Sequence, residues 1–244
     1  MSLKEMESKM RKVLVCNHKM FLTFDEAIQL EREMKDINHQ NIDLIVCPSY
    51  INLNVFSSYN LGAQDAFYED KGPYTGEVSA YDLSLLKVKY VIVGHYEKRN
   101  VDTNLIINKK IKSILNNSMT PILCVGESRM DKELMKTSEV IRKQLREGLK
   151  GINLEPYQEI IIAYEPNWVI GNNNCLKKDE ILDTLRYIKK ILNQNNIFNY
   201  KLLYGGSVNS KNIEKLLSNE IDGYLLGASS ININELNYII KSIK

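Results

Sequence analysis

Short apolar runs recur along the whole chain, each ending in a polar turn and followed by apolar positions at helical spacing. Val13-Leu14-Val15-Cys16 is the first, Ile42 to Cys47 the second and Leu61-Gly62-Ala63 a weak third. Tyr90 to Val93, Pro121 to Val125, Ile160 to Ala163, Leu202 to Tyr204 and Gly223 to Leu226 complete the series. Thr23 to Asn38 predicts a helix opened by a Thr23/Glu26 capping box, with Phe24, Ala27, Ile28, Met34 and Ile37 on one face. Further helices are predicted over Ser49 to Ser58, around Ile107 to Leu115, over Lys132 to Leu149, around Ile181 to Leu192, over Asn209 to Leu217 and at the chain's end. Near-continuous apolar strands alternating with amphipathic helices mean a parallel sheet covered by helices. Eight such units in 244 residues, with no linker or low-complexity break, predict one α/β domain over 1–244, a (β/α)8 barrel. The polar first twelve residues read as an N-terminal extension or a remnant of cloning. No GxGxxG opens a helix, so a dinucleotide-binding sheet has no support.

Composition changes this picture little. An apolar fraction of 44% with 25% charged residues is ordinary for a soluble globular chain. A formal charge of +2 argues for neither nucleic acid nor a membrane surface as partner, so an anionic ligand must be held by a local site. The four cysteines, at 16, 47, 124 and 175, show no CxxC and no metal-type pairing with the three histidines. Three of them lie in or at the end of apolar runs, which predicts buried free thiols in a reducing compartment. No segment has the length of a membrane span, and Met1 to Lys12 lacks a signal-peptide core, so a cytoplasmic protein is expected.

In such a barrel the chemistry gathers at the C-terminal ends of the strands. Glu165 stands there, just past Ile160 to Ala163 and directly before Pro166, which disfavours the helical region for the residue preceding it. It reads as a base held extended at a strand terminus, attached to a loop that can close over a ligand. Asn17, Lys19, Gln64, His95, Glu97, Glu127, Ser207 and the Gly227-Ala228 turn share the same rim. Glycine-rich turns after the seventh and eighth strands suit phosphate, because small residues let backbone N–H groups approach the anion. Each residue alone has a plain structural reading: a strand-end carboxylate, a satisfied histidine, a solvated lysine, an ordinary turn. Their joint placement on one rim favours a site.

Asn17-His18-Lys19-Met20, Gly62-Ala63-Gln64, Tyr74-Thr75-Gly76-Glu77, Tyr90 to Glu97, Cys124-Val125-Gly126-Glu127, Ala163 to Trp168, Tyr204-Gly205-Gly206-Ser207 and Asp222 to Ser230 stand in that order. In this they resemble the triosephosphate isomerases, over essentially the whole chain from Val13 onward. The resemblance implies interconversion of dihydroxyacetone phosphate and D-glyceraldehyde 3-phosphate through an enediolate, a step of glycolysis and gluconeogenesis, with no metal and no organic cofactor. It implies that Glu165 moves the proton and that a neutral His95 polarises the oxygens, the established pairing of this family and not a deduction from spacing. Lys19 and Asn17 would contact substrate and intermediate, and Glu97 would support Lys19. Backbone N–H groups of Gly171, Ser207, Gly227 and Ala228 would grip the phosphate. Pro166, Trp168, Ile170, Tyr204 and Leu225 would take part in loop closure. The Thr75 loop would reach into a second subunit and make a homodimer.

Several positions depart from the family's usual residues. Tyr96 stands where a Ser is usual, beside His95 and near the base, so the phenol must point away or displace something. His18 replaces a Trp and should face away from the mouth, changing the packing there. Asn167 replaces an aliphatic residue, Asn172 and Asn173 replace Thr-Gly, and Ala228 replaces the second Gly of the phosphate turn. The helix after the fourth strand begins after a shorter lead-in than usual. Two other readings stay open: an isomerase of another small ketose phosphate, such as a four-carbon one, and a catalytically weak barrel that binds phosphate ligands.

Overall fold

A computed structural model describes residues 11–170 and 176–243. Its strands are β1 (Lys12–Asn17), β2 (Ile42–Cys47), β3 (Asn60–Ala63), β4 (Tyr90–Val93), β5 (Thr120–Val125), β6 (Ile160–Tyr164), β7 (Tyr200–Tyr204) and β8 (Gly223–Leu226). Each pairs in parallel with the next, and β8 returns to β1 in the register Val13↔Gly223 to Cys16↔Leu226, which closes the barrel. The helices are α1 (Phe24–Met34), α2 (Ala80–Leu85), α3 (Asn104–Asn116), α4 (Arg129–Glu133), α5 (Thr137–Gly148), α6 (Lys178–Gln194), α7 (Ile213–Leu216) and α8 (Ile233–Ser242). They ring the sheet, with α3 against α5, α5 against α6, and α8 reaching back to α1. The (β/α)8 barrel expected from the run of apolar segments is the fold observed.

Alternation along the strands divides the core in two. Val13, Val15, Ile45, Cys47, Ile92, Ile122, Cys124, Ile161, Ala163, Leu203 and Leu225 pack together inside the barrel. Their neighbours, among them Leu14, Val46, Val91, Leu123, Ile162 and Tyr204, face the helices. Successive strand side chains point to opposite faces. One further step of two along β1, β5, β6, β7 and β8 therefore brings Asn17, Gly126, Glu165, Gly205 and Gly227 to the inner side of the mouth.

Local chemistry explains where the elements depart from the predicted bounds. Over Ser49 to Ser58 the chain forms a 3₁₀ segment, Tyr50–Phe56. The single helix predicted over Lys132 to Leu149 is two. A Ser128/Asp131 capping box opens α4, and Met135 then takes φ +55, which no right-handed helix accommodates, before α5 begins. The predicted Asn209–Leu217 helix shrinks to α7, because asparagine side chains hold the preceding turn. Asn212 donates to the Ser207 carbonyl (2.8 Å) and accepts from the Asn209 N–H (2.9 Å). Cys16, Cys47 and Cys124 are buried free thiols, with burial pushing Cys16 up to about 12. Among the described residues, no helix is long and apolar enough to cross a membrane.

Candidate active site

Glu165 follows β6 directly, its N–H bonded to the Val125 carbonyl (2.8 Å), and only 2% of its surface is exposed. Room for it is made by absent side chains. A Cβ on Gly205 would stand 2.8 Å from Glu165 Cγ and 3.2 Å from Oε1, and one on Gly126 would collide with the Glu165 carbonyl. We predict that Gly205→Ala displaces the carboxylate and lowers kcat by about tenfold or more with little change in fold, since a 1 Å misplacement can cost about 10²-fold. Steady-state kinetics beside a thermal melt checks this, and an unchanged kcat would refute it.

His95 reaches the same space by a different route. Strand phase would send it outward, but Gly94 at φ +68 turns the chain at the end of β4. His95 then caps a short 3₁₀ turn, Tyr96–Lys98, with Nδ1 accepting the Glu97 N–H at 3.3 Å. That lone pair is free only if the other nitrogen carries the proton, so the hydrogen bond selects the neutral Nε2–H tautomer. Nε2 lies 3.6 Å from Glu165 Oε1. Glu165 Oε2 is buried with no hydrogen-bond partner among the described residues.

The cation comes from the β1 end. Asn17 Oδ1 accepts the Lys19 N–H (3.1 Å), and Lys19 takes φ +49, a strained value for a non-glycine residue. Gln64, past β3, holds that turn by donating Nε2 to the carbonyls of Lys19 (2.8 Å) and Cys47 (3.0 Å). Lys19 Nζ bonds Glu97 Oε1 at 2.7 Å. Burial opposes the ammonium charge, but Glu97 and Tyr96 more than offset it, so its pKa lies above the usual lysine value. Burial also pushes the Glu97 carboxyl up, and Lys19 outweighs it, leaving that group below its usual range. Tyr96 does turn away from the base: its hydroxyl donates to Glu97 Oε1 (3.1 Å) and its ring lies under the Lys19 ammonium (5.1 Å to the centroid). His18, as its strand phase requires, faces away from the mouth, buried edge-on against Phe56.

The remaining walls come from β7 and β8. Ser207 has φ +51, and its Oγ donates to the Val169 carbonyl at 2.5 Å, tying the β7 turn to the segment after Glu165. Ser229 Oγ donates to the Val208 carbonyl (2.6 Å), joining the β7 and β8 turns. Gly227 and Ala228 open the final 3₁₀ turn, and the Lys19 stem packs at 3.7 Å from where a Gly227 Cβ would stand. Together these residues enclose a cavity of about 400 Å³.

The cavity brings together Lys19, His95, Glu97, Glu165, Ile170, Ser207, Leu225, Gly227 and Ala228. Asn17 is buried at the end of β1 beside it, and Tyr204 is buried with its hydroxyl against Gly206. Pro166 and Trp168 follow Glu165 in the chain but do not line the cavity. Thr75 is elsewhere, within the exposed run 69–77, and Gly171, Asn172 and Asn173 lie outside the described residues. Sequence reasoning assigned no role to Tyr96, Phe21, Val208, Asn209 or Ser229, which also line the cavity. Nor did it find a task for Glu127. That carboxylate is fully buried, accepts from Tyr164 Oη (3.2 Å) and Trp168 Nε1 (3.0 Å), and its carbonyl takes the Asn167 N–H (3.0 Å). Its place on the rim was the one signal available.

The family model described as triosephosphate isomerase matches residues 12–243. The triosephosphate isomerase of Dictyoglomus thermophilum is 40% identical over 95% of this chain and 99% of its own. That of Dehalococcoides mccartyi is 40% identical over 91% of this chain and 92% of its own. That of Thermoanaerobacter pseudethanolicus is 36% identical, covering 94% and 98%. Matches of this extent, on a closed parallel barrel with a buried glutamate facing a histidine at its mouth, leave one assignment: the chain belongs to the triosephosphate isomerase family.

Proposed function

We propose that the protein interconverts dihydroxyacetone phosphate and D-glyceraldehyde 3-phosphate. The observation that carries this reading is the buried Glu165 carboxylate 3.6 Å from Nε2 of a histidine whose Nδ1 accepts the Glu97 N–H. Glu165 takes a proton from the carbon beside the ketone, and the carbonyl oxygen gains the charge that His95 Nε2–H stabilises. The hydroxyl proton passes from the neighbouring oxygen to the former ketone oxygen, and the same carboxyl returns its proton to the former ketone carbon, so that the carbon first deprotonated becomes the aldehyde. Lys19 and Asn17 contact the substrate oxygens, and Glu97 holds Lys19. Preorganised donors at the developing oxyanion cost no reorganisation during reaction. The phosphate is held by N–H groups of Ser207, Gly227, Ala228 and Gly171, which is supported by the Lys19 stem lying against the Gly227 turn. Closure of the segment after Glu165, with Pro166 at its hinge, Trp168 and Ile170 moving, and Tyr204 and Leu225 receiving it, excludes water from the enediolate.

The working unit is a homodimer in the cytoplasm, with the Thr75 loop reaching into the partner. Support comes from an exposed loop over 69–77 and from Met20, Phe21, Ile51 and Tyr74, all exposed on the segments that follow β1, β2 and β3. Buried free thiols at 16, 47 and 124 support the reducing compartment.

A coupled assay comparing glyceraldehyde 3-phosphate with a four-carbon ketose phosphate tests the reading. The triose is expected to be favoured at least about a hundredfold in kcat/KM, by a protein sedimenting as a dimer of 28.2 kDa chains. Preference for the larger sugar would move the assignment to that substrate, and phosphate binding without turnover of either would leave only a binding barrel.

A further inference from the structure

We propose that Tyr96 is a positioning residue that fixes the Lys19 ammonium for an anionic substrate, an assignment that rests on the substrate contact proposed for Lys19. Two donors converge on one carboxylate oxygen: Tyr96 Oη at 3.1 Å and Lys19 Nζ at 2.7 Å, both on Glu97 Oε1. The Glu97 side chain is 47% exposed, and an exposed ion pair held by nothing else is worth little and wanders. The phenol supplies the missing restraint. It pins the carboxylate from one side, while its ring presents a π face to the ammonium 5.1 Å away. The ring is itself braced against His95, with centroids 4.7 Å apart.

Lysine carries substantial rotamer entropy, which a binding event must otherwise remove. With Glu97 on one side and the Tyr96 face on another, that ordering is complete before the anion arrives, and preorganisation of this kind appears as affinity. Tyr96 makes no hydrogen bond to Glu165, whose Oε2 has no partner among the described residues. Its hydroxyl acts on Glu97 and through it on Lys19, so the influence of the hydroxyl falls on binding.

The experiment measures the Kd of inorganic phosphate by titration, together with kcat and KM for glyceraldehyde 3-phosphate. The proteins are the wild type, Tyr96→Phe, Tyr96→Leu and Lys19→Met. Tyr96→Phe keeps the ring on His95 and loses only the hydroxyl; phosphate Kd and KM are expected to rise about threefold to tenfold, with kcat within about twofold. Tyr96→Leu, which loses the ring as well, is expected to weaken phosphate further. A merely structural residue would shift the melting temperature of these variants and leave phosphate Kd alone. If Lys19→Met binds phosphate as tightly as the wild type, the role of Lys19 falls and this assignment with it. If Lys19→Met loses phosphate while both Tyr96 variants keep it, the assignment of Tyr96 alone is overturned. A fall in kcat with unchanged Kd would overturn it too, by placing the effect on His95.

Discussion

Glu165→Gln is expected to lower kcat by about 10²–10⁴-fold, the range that a positioned proton-transfer group contributes, without unfolding the protein. The substitution keeps the shape of the side chain, so the space left by Gly126 and Gly205 still accepts it. What changes is the charge. In the wild type a carboxylate sits 2% exposed with one oxygen unpartnered among the described residues, an arrangement that costs stability. Neutralising it should hold or raise the melting temperature while turnover collapses, a combination that distinguishes a base from a structural group. Phosphate affinity should stay within about threefold, because Glu165 is not among the groups proposed to hold the anion. Glu165→Asp retracts the carboxylate by one methylene and should lose about 10²-fold for its misplacement. The coupled assay and calorimetry on the same preparations decide the matter. Wild-type turnover in Glu165→Gln would remove Glu165 from the proton-transfer role.

The parts of this molecule that can be read without coordinates are those decided by neighbours in the chain. β2, β4 and β8 end where the reading put them, because Pro48, Gly94 and Gly227 follow them directly. Strand phase places Asn17 and Glu165 inside the mouth and His18 outside it with no further information. The identity of the site came from motifs in a fixed order, which a resemblance can carry. The break at Met135 was hidden because no residue type announces a left-handed methionine, although the Ser128/Asp131 capping box was a visible sign of an earlier helix start. Tyr96 shows the deeper limit. Its direction is settled by Lys19 and Glu97, and those two meet across 78 positions of sequence. Glu127 is similar: its partners Tyr164 and Trp168 are 37 and 41 residues away. Such pairings belong to the closed barrel and to no local pattern.

His18 should make the protein lose stability between pH 6.5 and about 4. Its ring is 1% exposed, packed edge-on to Phe56 at 5.0 Å, and neither ring nitrogen has a hydrogen-bond partner among the described residues. Burial pushes its pKa down from 6.5 to about 4. Above pH 6.5 the ring is neutral in both folded and unfolded chains, and it contributes no pH dependence. As the pH falls below 6.5 the unfolded chain binds a proton that the folded protein refuses, so stability declines. The loss is complete once the folded ring also protonates, below about pH 4, and it amounts to about 3 kcal/mol. Its consequence is local to the site as well, since His18 lies between Asn17 and the strained Lys19, and its N–H bonds the same Cys47 carbonyl that Gln64 uses. His18→Phe removes both orphaned nitrogens and keeps a planar ring against Phe56. It should gain about 1–3 kcal/mol at pH 7, where leaving a buried polar group unsatisfied costs that much. Urea titrations of both proteins at pH 7, 6, 5 and 4.5 isolate the effect, because carboxylates that titrate in this range are common to both and cancel in the difference. The gap between variant and wild type should widen steadily as the pH falls. A gap that stays constant would mean that the His18 ring finds a proton acceptor in the folded state and is not held neutral by burial.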